Sequence, residues 1–201
     1  MARPYRLGKR LVGVQATRRR ILDATRELLE QGGVDTANIQ QIAKLAGVTR
    51  PTVYQQFGSR QELLLQVMNE GLDSADVRHV RKALQHPDAG KAVRGMIRKS
   101  CQFWESGYTL FHRVKGLALI DDAASAVDAE KEAVRRGHIE NLTGRLANQK
   151  LLKKGVTRRH ADDVLYLLTS FEVYDQLRSR GYSADKIGSR LVQMAEQTVL
   201  A

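Results

Sequence analysis

Proline is nearly absent from this chain, and its distribution limits the fold more than any other feature of the sequence. The 201 residues contain three prolines, and none of them lies between Asp88 and Ala201. Long proline-free stretches rich in Ala, Leu, Arg, Glu and Gln favour helix, because these residues fit a helix at little entropic cost. No run of alternating β-branched and aromatic residues bounded by turns predicts a strand. The sequence therefore predicts an all-α protein.

Basic side chains outnumber acidic ones by 33 to 22, which gives a formal net charge of +11. Such an excess favours polyanionic partners such as nucleic acid or anionic lipid, although a merely basic solvated surface is an alternative. The first 22 residues contain no acidic side chain, and their cations are Arg3, Arg6, Lys9, Arg10, Arg18, Arg19 and Arg20. We predict a basic N-terminal arm over residues 1–15. An organellar transit peptide is disfavoured because such segments are rich in serine, and the first serine here is Ser59.

Two further observations bear on the compartment. The longest aliphatic run, Leu117 to Ile120, is far too short to span a bilayer, and no secretory signal is recognisable. The single cysteine, Cys101, excludes an intrachain disulfide framework and fits a reducing environment. We expect a cytoplasmic protein with no membrane partner.

The spacing of apolar residues divides the chain into helices. A first helix is expected over about residues 16–31, and Gly32–Gly33 would end it. The later helices are expected over 39–46, 50–57, 59–84, 88–105, 125–148, 157–180 and 183–199, with 107–124 left uncertain. The last two have wide apolar stripes, which can face a core and a second surface as well.

Residues 38–57 carry the most informative local pattern. Asn38 is a natural cap for one short helix and Thr49 for the next, and Ala46–Gly47–Val48 forms a tight turn between them. Two short helices joined in this way are typical of a DNA-binding helix-turn-helix, although a generic helical hairpin has the same spacing. The second helix carries Arg50 and Gln55, whose side chains can bind guanine and adenine edges in a bidentate way.

A wider pattern favours the DNA-binding interpretation. The stretch from Ile21 to Met68 closely resembles the tetracycline-repressor (TetR) family of bacterial regulators. The shared residues include Ile42–Ala43, Ala46–Gly47–Val48, Thr52, Tyr54, Phe57 and the step Gly58-Ser59-Arg60-x-Glu62-Leu63. The resemblance implies a three-helix DNA-binding domain over residues 16–60 and a larger helical ligand-binding and dimerisation domain over 61–201.

The resemblance also implies roles for individual residues. It implies base-edge contacts for Gln40, Arg50, Pro51, Thr52 and Gln55. It implies phosphate contacts for Asn38, Thr49, Tyr54, Gln56 and Arg60. Two departures count: Ala37 stands where the family usually has a hydroxyl residue, and Arg60 replaces the commoner lysine.

In this family an inducer binds among the helices of the C-terminal domain. The candidate pocket residues are Cys101, Trp104, Tyr108, Phe111 and His112, for each of which core packing is an equal alternative. Nearby cations, including Arg94 and Arg98, would suit an amphipathic acid, although they could also be solvated. The apolar residues predicted to form a homodimer interface are Phe171, Tyr174, Leu177, Leu191, Met194 and Ala195.

The sequence gives little evidence of candidate catalytic residues. Asp121 and Asp122 are adjacent on a helix and would point about 100° apart, and the His160–Asp163 run fits the start of a helix better than a metal site. We expect no catalytic residues, metal or cofactor. The function predicted from these observations is a homodimeric regulator, a repressor that binds operator DNA and is released by a small-molecule effector. A DNA-docking enzyme such as a recombinase and an architectural DNA-binding protein are the alternatives.

Overall fold

The computed structural model describes residues 4–33, 36–71 and 75–201, and their side chains from residue 12 onward with positions 68, 75 and 76 set aside. All regular structure in these residues is helical, as predicted, apart from an isolated antiparallel bridge between Leu152 and Leu200. The helices are α1 (Pro4–Gly32), α2 (Ile39–Ala46), α3 (Arg50–Phe57), α4 (Arg60–Gly71), α5 (Ala75–Leu84), α6 (Ala89–Ser106), α7 (Tyr108–Ala118), α8 (Asp122–Asn148), α9 (Arg158–Leu168), α10 (Phe171–Arg178) and α11 (Ala184–Thr198).

The chain divides into two compact units. Unit 1 comprises residues 1–71 and 112–127, and unit 2 comprises residues 72–111 and 128–201. This grouping places the division after Gly71 rather than after residue 60, and it assigns most of α7 to unit 1.

Unit 1 is organised around α1, which packs against α2 and α4, while α3 contacts both α2 and α4. Its core contains Ile21, Leu29, Ile42, Val53 and Leu63, all of them buried. The first helix begins at Pro4, so the prediction of a helix starting near residue 16 was wrong. The basic arm expected over 1–15 is therefore helical from Pro4, although the side chains of its cations at positions 3, 6, 9 and 10 lie outside those described.

The helix predicted over 59–84 is described in two parts, α4 and α5. Positions 72–74 between them lie outside the described residues, so the continuity of this helix stays a prediction.

Unit 2 is built around α6, which packs against α5, α10 and α11. Its core includes Ile97, Ile139, Leu165 and Ile187 from four different helices. The predicted helices over 88–105 and 183–199 are confirmed as α6 and α11 to within a residue. The uncertain segment contains α7, and α8 begins at Asp122, where the carboxylate of Asp121 accepts the backbone N–H of Ala124 at 2.8 Å.

The helix predicted over 157–180 is broken at Thr169–Ser170. The Ser170 side chain caps α10 by accepting the backbone N–H of Val173, and the Trp104 indole donates to the Thr169 carbonyl at 3.1 Å. A guanidinium nitrogen of Arg135 donates to the Tyr166 carbonyl at 2.8 Å. These partners satisfy backbone groups that a continuous helix would have paired internally, so the break costs little.

In the part of the chain that the structure describes, no helix combines the length and the apolar character needed to cross a bilayer.

Candidate nucleic-acid interface

The helix α2 buries one face and exposes the other. Ile39, Ile42, Ala43 and Ala46 are buried, as the apolar spacing predicted. The side chain of Asn38 caps the helix by accepting the backbone N–H of Gln41 at 3.0 Å. The buried face fixes the helix on α1 and leaves the polar face to solvent.

The turn after α2 depends on Gly47. This residue has φ 64° and ψ 40°, in the left-handed region that disfavours residues with a Cβ. The backbone N–H of Val48 donates to the Ala43 carbonyl at 3.0 Å, which satisfies a carbonyl at the end of α2. The chain can therefore reverse within three residues and begin α3.

The helix α3 begins with Thr49, whose hydroxyl accepts the backbone N–H of Thr52. Pro51 lies in the first turn, where the missing N–H costs nothing. Val53 and Phe57 are buried and anchor the helix to unit 1. The opposite face exposes Arg50 and Gln55.

The start of α4 fixes the far end of α3. Ser59 and Glu62 form a reciprocal capping box, in which the Glu62 carboxylate accepts the Ser59 N–H at 3.1 Å and the Ser59 hydroxyl accepts the Glu62 N–H at 3.0 Å. Gly58 has φ 75°, and a Cβ there would lie 2.2 Å from a carboxylate oxygen of Glu62. The local hydrogen bonds and the conformation of Gly58 thus explain the residues at Gly58, Ser59 and Glu62 that resemble the family.

Most of the residues predicted to contact DNA are exposed on α2, α3 and the turn between them. The exposed residues are Asn38, Gln40, Thr49, Arg50, Pro51, Tyr54 and Gln55, while Thr52, Gln56 and Arg60 are half-buried. No acidic residue occurs from position 36 to position 61. The surface therefore combines hydrogen-bonding side chains with a local positive charge from Lys44 and Arg50, which suits a polyanion.

Some of these side chains have structural partners. Arg60 donates from Nε to the Ala37 carbonyl at 2.9 Å, which ties α4 to the segment before α2. The Thr49 and Thr52 hydroxyls lie 2.9 Å apart. The role of Arg60 in DNA binding stays a prediction.

Sequence reasoning missed the different roles of two arginines in α1. It grouped Arg18 and Arg20 as cations of the N-terminal segment. Arg18 donates to the Gln56 carbonyl at 2.6 Å and to the Gln66 amide oxygen at 2.9 Å. Arg20 is exposed, and a Cβ on Gly47 would lie 3.8 Å from a guanidinium nitrogen of Arg20. Arg20 is thus a candidate phosphate ligand beside the turn, whereas Arg18 holds unit 1 together.

The predicted ligand-binding residues are mostly core. Trp104 and Phe111 are buried with Phe103 and Phe171, and the ring centroids of Trp104 lie 4.6 to 5.4 Å from those of the other three. Cys101 is buried, Tyr108 donates to the Asp175 carboxylate, and His112 is exposed in the other compact unit. The four residues of unit 2 thus form a packed cluster, to which His112 does not belong.

The predicted dimer residues also lie largely inside unit 2. Phe171, Tyr174, Leu191 and Ala195 are buried in its core, so they offer little surface to a partner, and their role in a dimer stays a prediction. Met194 is 49% exposed, and on α9 Leu167 is 60% exposed. An interface on α9–α11 would use these outward-facing side chains.

Within the described residues, no three His, Cys, Asp or Glu side chains are arranged to hold a metal ion.

Comparisons with known proteins agree with this geometry. A family model for bacterial regulatory proteins of the tetR family matches residues 21–67. The HTH-type transcriptional regulator SrpR from Pseudomonas putida is 44% identical over 54 residues, which is 27% of this chain and 25% of that protein. The chain thus aligns with only a quarter of the length of this curated relative.

Two crystal structures extend the likeness to the fold. The TetR family transcriptional regulator PfmR from Thermus thermophilus has a TM-score of 0.68 at 19% identity, over 89% of this chain and 98% of that one. AibR in complex with isovaleryl coenzyme A and operator DNA has a TM-score of 0.69 at 17% identity, over 89% and 97% of the two chains. At such identities the likeness concerns architecture alone.

Proposed function

The chain belongs to the tetR family of bacterial regulatory proteins, and we propose that it is a homodimeric transcription regulator that binds a specific operator in double-stranded DNA. The observation that carries the proposal is the exposed polar face of α3, held by the left-handed turn at Gly47 and the buried anchors Val53 and Phe57. We place the protein in the bacterial cytoplasm, where operator DNA is found.

The proposed mode of binding follows from the size of α3. An α-helix fits the major groove of B-DNA, where each base pair has its own pattern of donors and acceptors. Arg50 would bind guanine O6 and N7, and Gln55 or Gln40 would bind adenine N6 and N7. Tyr54, Thr49 and Arg20 would bind phosphates beside the groove and fix the orientation of the helix.

A dimer would place two copies of α3 on one face of the DNA. The two half-sites would then be related by a two-fold axis and separated by about one helical turn, or 34–36 Å. We assign the dimer contact to the outward face of α9 and α11, on which Leu167 and Met194 are the large exposed apolar side chains. Doubling the contacts in this way supplies an affinity that one short helix cannot reach alone.

The regulatory part of the proposal is release by an effector. AibR was crystallised with both a coenzyme A thioester and operator DNA, so a fold of this architecture can bind a small molecule and DNA. Here an effector in unit 2 would stabilise a conformation whose two copies of α3 no longer match the half-sites. The protein would act as a ligand-released repressor without catalytic activity.

The experiment that tests this function is selection of bound sequences from random duplex DNA, followed by competition with unrelated duplex. We expect enrichment of one near-palindromic sequence and binding that survives excess unrelated DNA. An architectural protein would select no sequence and would be displaced. A DNA-docking enzyme would select a sequence and then cut, join or modify it, which gel analysis of the recovered strands would show.

A further inference from the structure

The helices α5 and α6 of unit 2 line an open cleft that no step of the DNA-binding proposal uses. Its volume is about 650 Å³. This is within the range of about 300–1,000 Å³ typical of sites for small molecules. The lining residues are His79, Lys82, Ala83, Gln85, His86, Lys91, Gly95 and Lys99. Five of these eight side chains are basic, and none is acidic.

The sequence builds the cleft from two facing stripes. On α5 and just beyond it, His79, Lys82 and His86 recur at a spacing of three to four residues, and on α6 Lys91 and Lys99 lie two turns apart. Small residues occupy the middle of each stripe. A Cβ on Gly95 would lie 3.1 Å from the Cβ of Ala83, so the helices approach closely there while the longer cations line the cleft.

In the described part of the chain, the lysines of the cleft form no ion pair with a carboxylate. None of the ion pairs found there involves Lys82, Lys91 or Lys99, and the one hydrogen bond of Lys99 goes to the neutral side chain of Gln102. Asp88 is the nearest carboxylate along the chain, and it is used to cap α6 by accepting the Lys91 backbone N–H at 2.8 Å. That bond lowers the pKa of Asp88, and so do the nearby positive charges of Lys91 and His86. The cleft therefore carries an excess of positive charge that this one carboxylate offsets only in part.

We infer that the cleft between α5 and α6 binds a small phosphorylated molecule, with Lys82, Lys91 and Lys99 as its charge partners. The residue types favour phosphate over carboxylate. The lining contains lysine and histidine but no arginine. A lysine ammonium is a compact point charge of the kind that phosphate-binding sites commonly use. Three such lysines suit a phosphate group better than a carboxylate, because a phosphate carries up to two negative charges and three strong acceptor oxygens.

The backbone of duplex DNA is the competing occupant for a basic surface. The cleft favours a small ligand because its cations come from two neighbouring helices and line one cleft of about 650 Å³. A duplex would need cations along an extended face.

This inference rests on the proposed function in one respect: the molecule bound in the cleft would be the effector that releases the protein from DNA. Binding to the cleft can be measured without DNA, and operator selection can be measured without the ligand. Failure of one is therefore distinguishable from failure of the other.

The test is calorimetric titration of the full-length protein with pyrophosphate at about 0.15 M salt, where nonspecific attraction is screened beyond about 8 Å. The probe variant is Lys82→Gln/Lys99→Gln. The matched control is Lys154→Gln/Lys186→Gln, which removes the same charge from exposed positions elsewhere in unit 2. Titration with tricarballylate and with an unrelated DNA duplex completes the comparison.

We expect saturable binding of about one pyrophosphate per chain, weakened about tenfold or more in the probe variant because two charge-assisted hydrogen bonds are lost. The control variant should bind like the wild type, and tricarballylate should bind more weakly. An equal loss of pyrophosphate affinity in both variants would mean that the effect depends only on net charge, and it would overturn the inference. If unrelated duplex displaces pyrophosphate from the wild type, and the probe variant no longer binds that duplex, the cleft would be assigned to DNA instead. Tighter binding of tricarballylate than of pyrophosphate would contradict the assignment to phosphate.

Discussion

The guanidinium carbon of Arg18 lies 4.2 Å from the centroid of the Phe57 ring, so α1 is tied to the last residue of α3. The same guanidinium donates to the Gln56 carbonyl and to the Gln66 side chain. One cation of the N-terminal half of α1 thus satisfies the end of the proposed recognition helix and connects it to α4. Arg18 acts inside unit 1, and its charge is largely withdrawn from DNA.

Replacing Arg18 should destabilise unit 1. We expect Arg18→Lys to lower the free energy of unfolding by about 1–3 kcal/mol, because lysine keeps the charge but cannot make both hydrogen bonds and the ring contact. Arg19→Ala is the control, since Arg19 is exposed and pairs with the exposed Asp23. That change should cost less than about 0.5 kcal/mol. Denaturant unfolding measures both, and equal values would remove the special role of Arg18.

The face of α3 should separate residues that select sequence from residues that add affinity. We expect Arg50→Ala to cost about 1–3 kcal/mol and to relax the preference at one base pair. Tyr54→Phe removes one hydroxyl from a residue that is 44% exposed and should weaken all sequences alike. Binding to a panel of single-base operator variants distinguishes the two outcomes. An unchanged preference in Arg50→Ala would show that the face is wrongly assigned.

The left-handed conformation of Gly47 should make this glycine hard to replace. Gly47→Ala is expected to cost about 1–2 kcal/mol, because an alanine Cβ crowds the following carbonyl at φ 64°. Gly137→Ala provides the opposite case, since Gly137 lies within α8 and a Cβ there would meet nothing within 4 Å. That substitution should stabilise by about 0.4–1 kcal/mol. Thermal unfolding of both variants is the measurement, and a neutral Gly47→Ala would exclude the strain argument.

The thiol of Cys101 should be inert in the folded protein. Burial raises its pKa to about 12 from an ordinary value of 9.0. The unfolded chain releases the thiol proton at a lower pH than the native chain, so this group's contribution to stability is present below pH 9 and is lost as pH rises toward 12. Iodoacetamide at pH 8 should therefore react only as fast as the protein opens. Rapid modification under native conditions would mean that the α6 core is accessible.

The outward face of α9 and α11 should control assembly. We expect Leu167→Glu and Met194→Glu to convert dimers into folded monomers, because each places a charge in an apolar contact. Leu119→Glu makes the same chemical change at a residue of unit 1 that is 86% exposed. It should leave the dimer intact. Light scattering at micromolar concentration gives the mass, and a monomeric wild type would remove the basis of the proposal.

The sequence predicted best what neighbouring residues determine. Asn38, Gly47 and Thr49 act within three or four residues of their own position, so their capping and turning roles could be inferred directly. The buried face of α2 was equally accessible, because the helical period fixes which side chains share a side.

Contacts between distant segments could not be inferred in this way. Arg18 and Gln56 are 38 positions apart, and nothing in either sequence neighbourhood indicates their bond. The break at Thr169–Ser170 depends on the indole of Trp104, from a helix 65 positions earlier, so the local apolar pattern suggested one helix. The buried side chains of Tyr174 and Leu191 show the same limit, since a wide stripe does not say how much of it one chain covers.

The indole of Trp104 also gives this protein its own optical reporter. It is the only tryptophan in the sequence, it is buried among aromatic rings, and its N–H is bonded to the carbonyl at the α9–α10 break. Its fluorescence should therefore be blue-shifted in the resting state, and any movement that separates α6 from that break would admit water and shift the emission to the red. Conformational change in unit 2 can thus be followed in real time without a label.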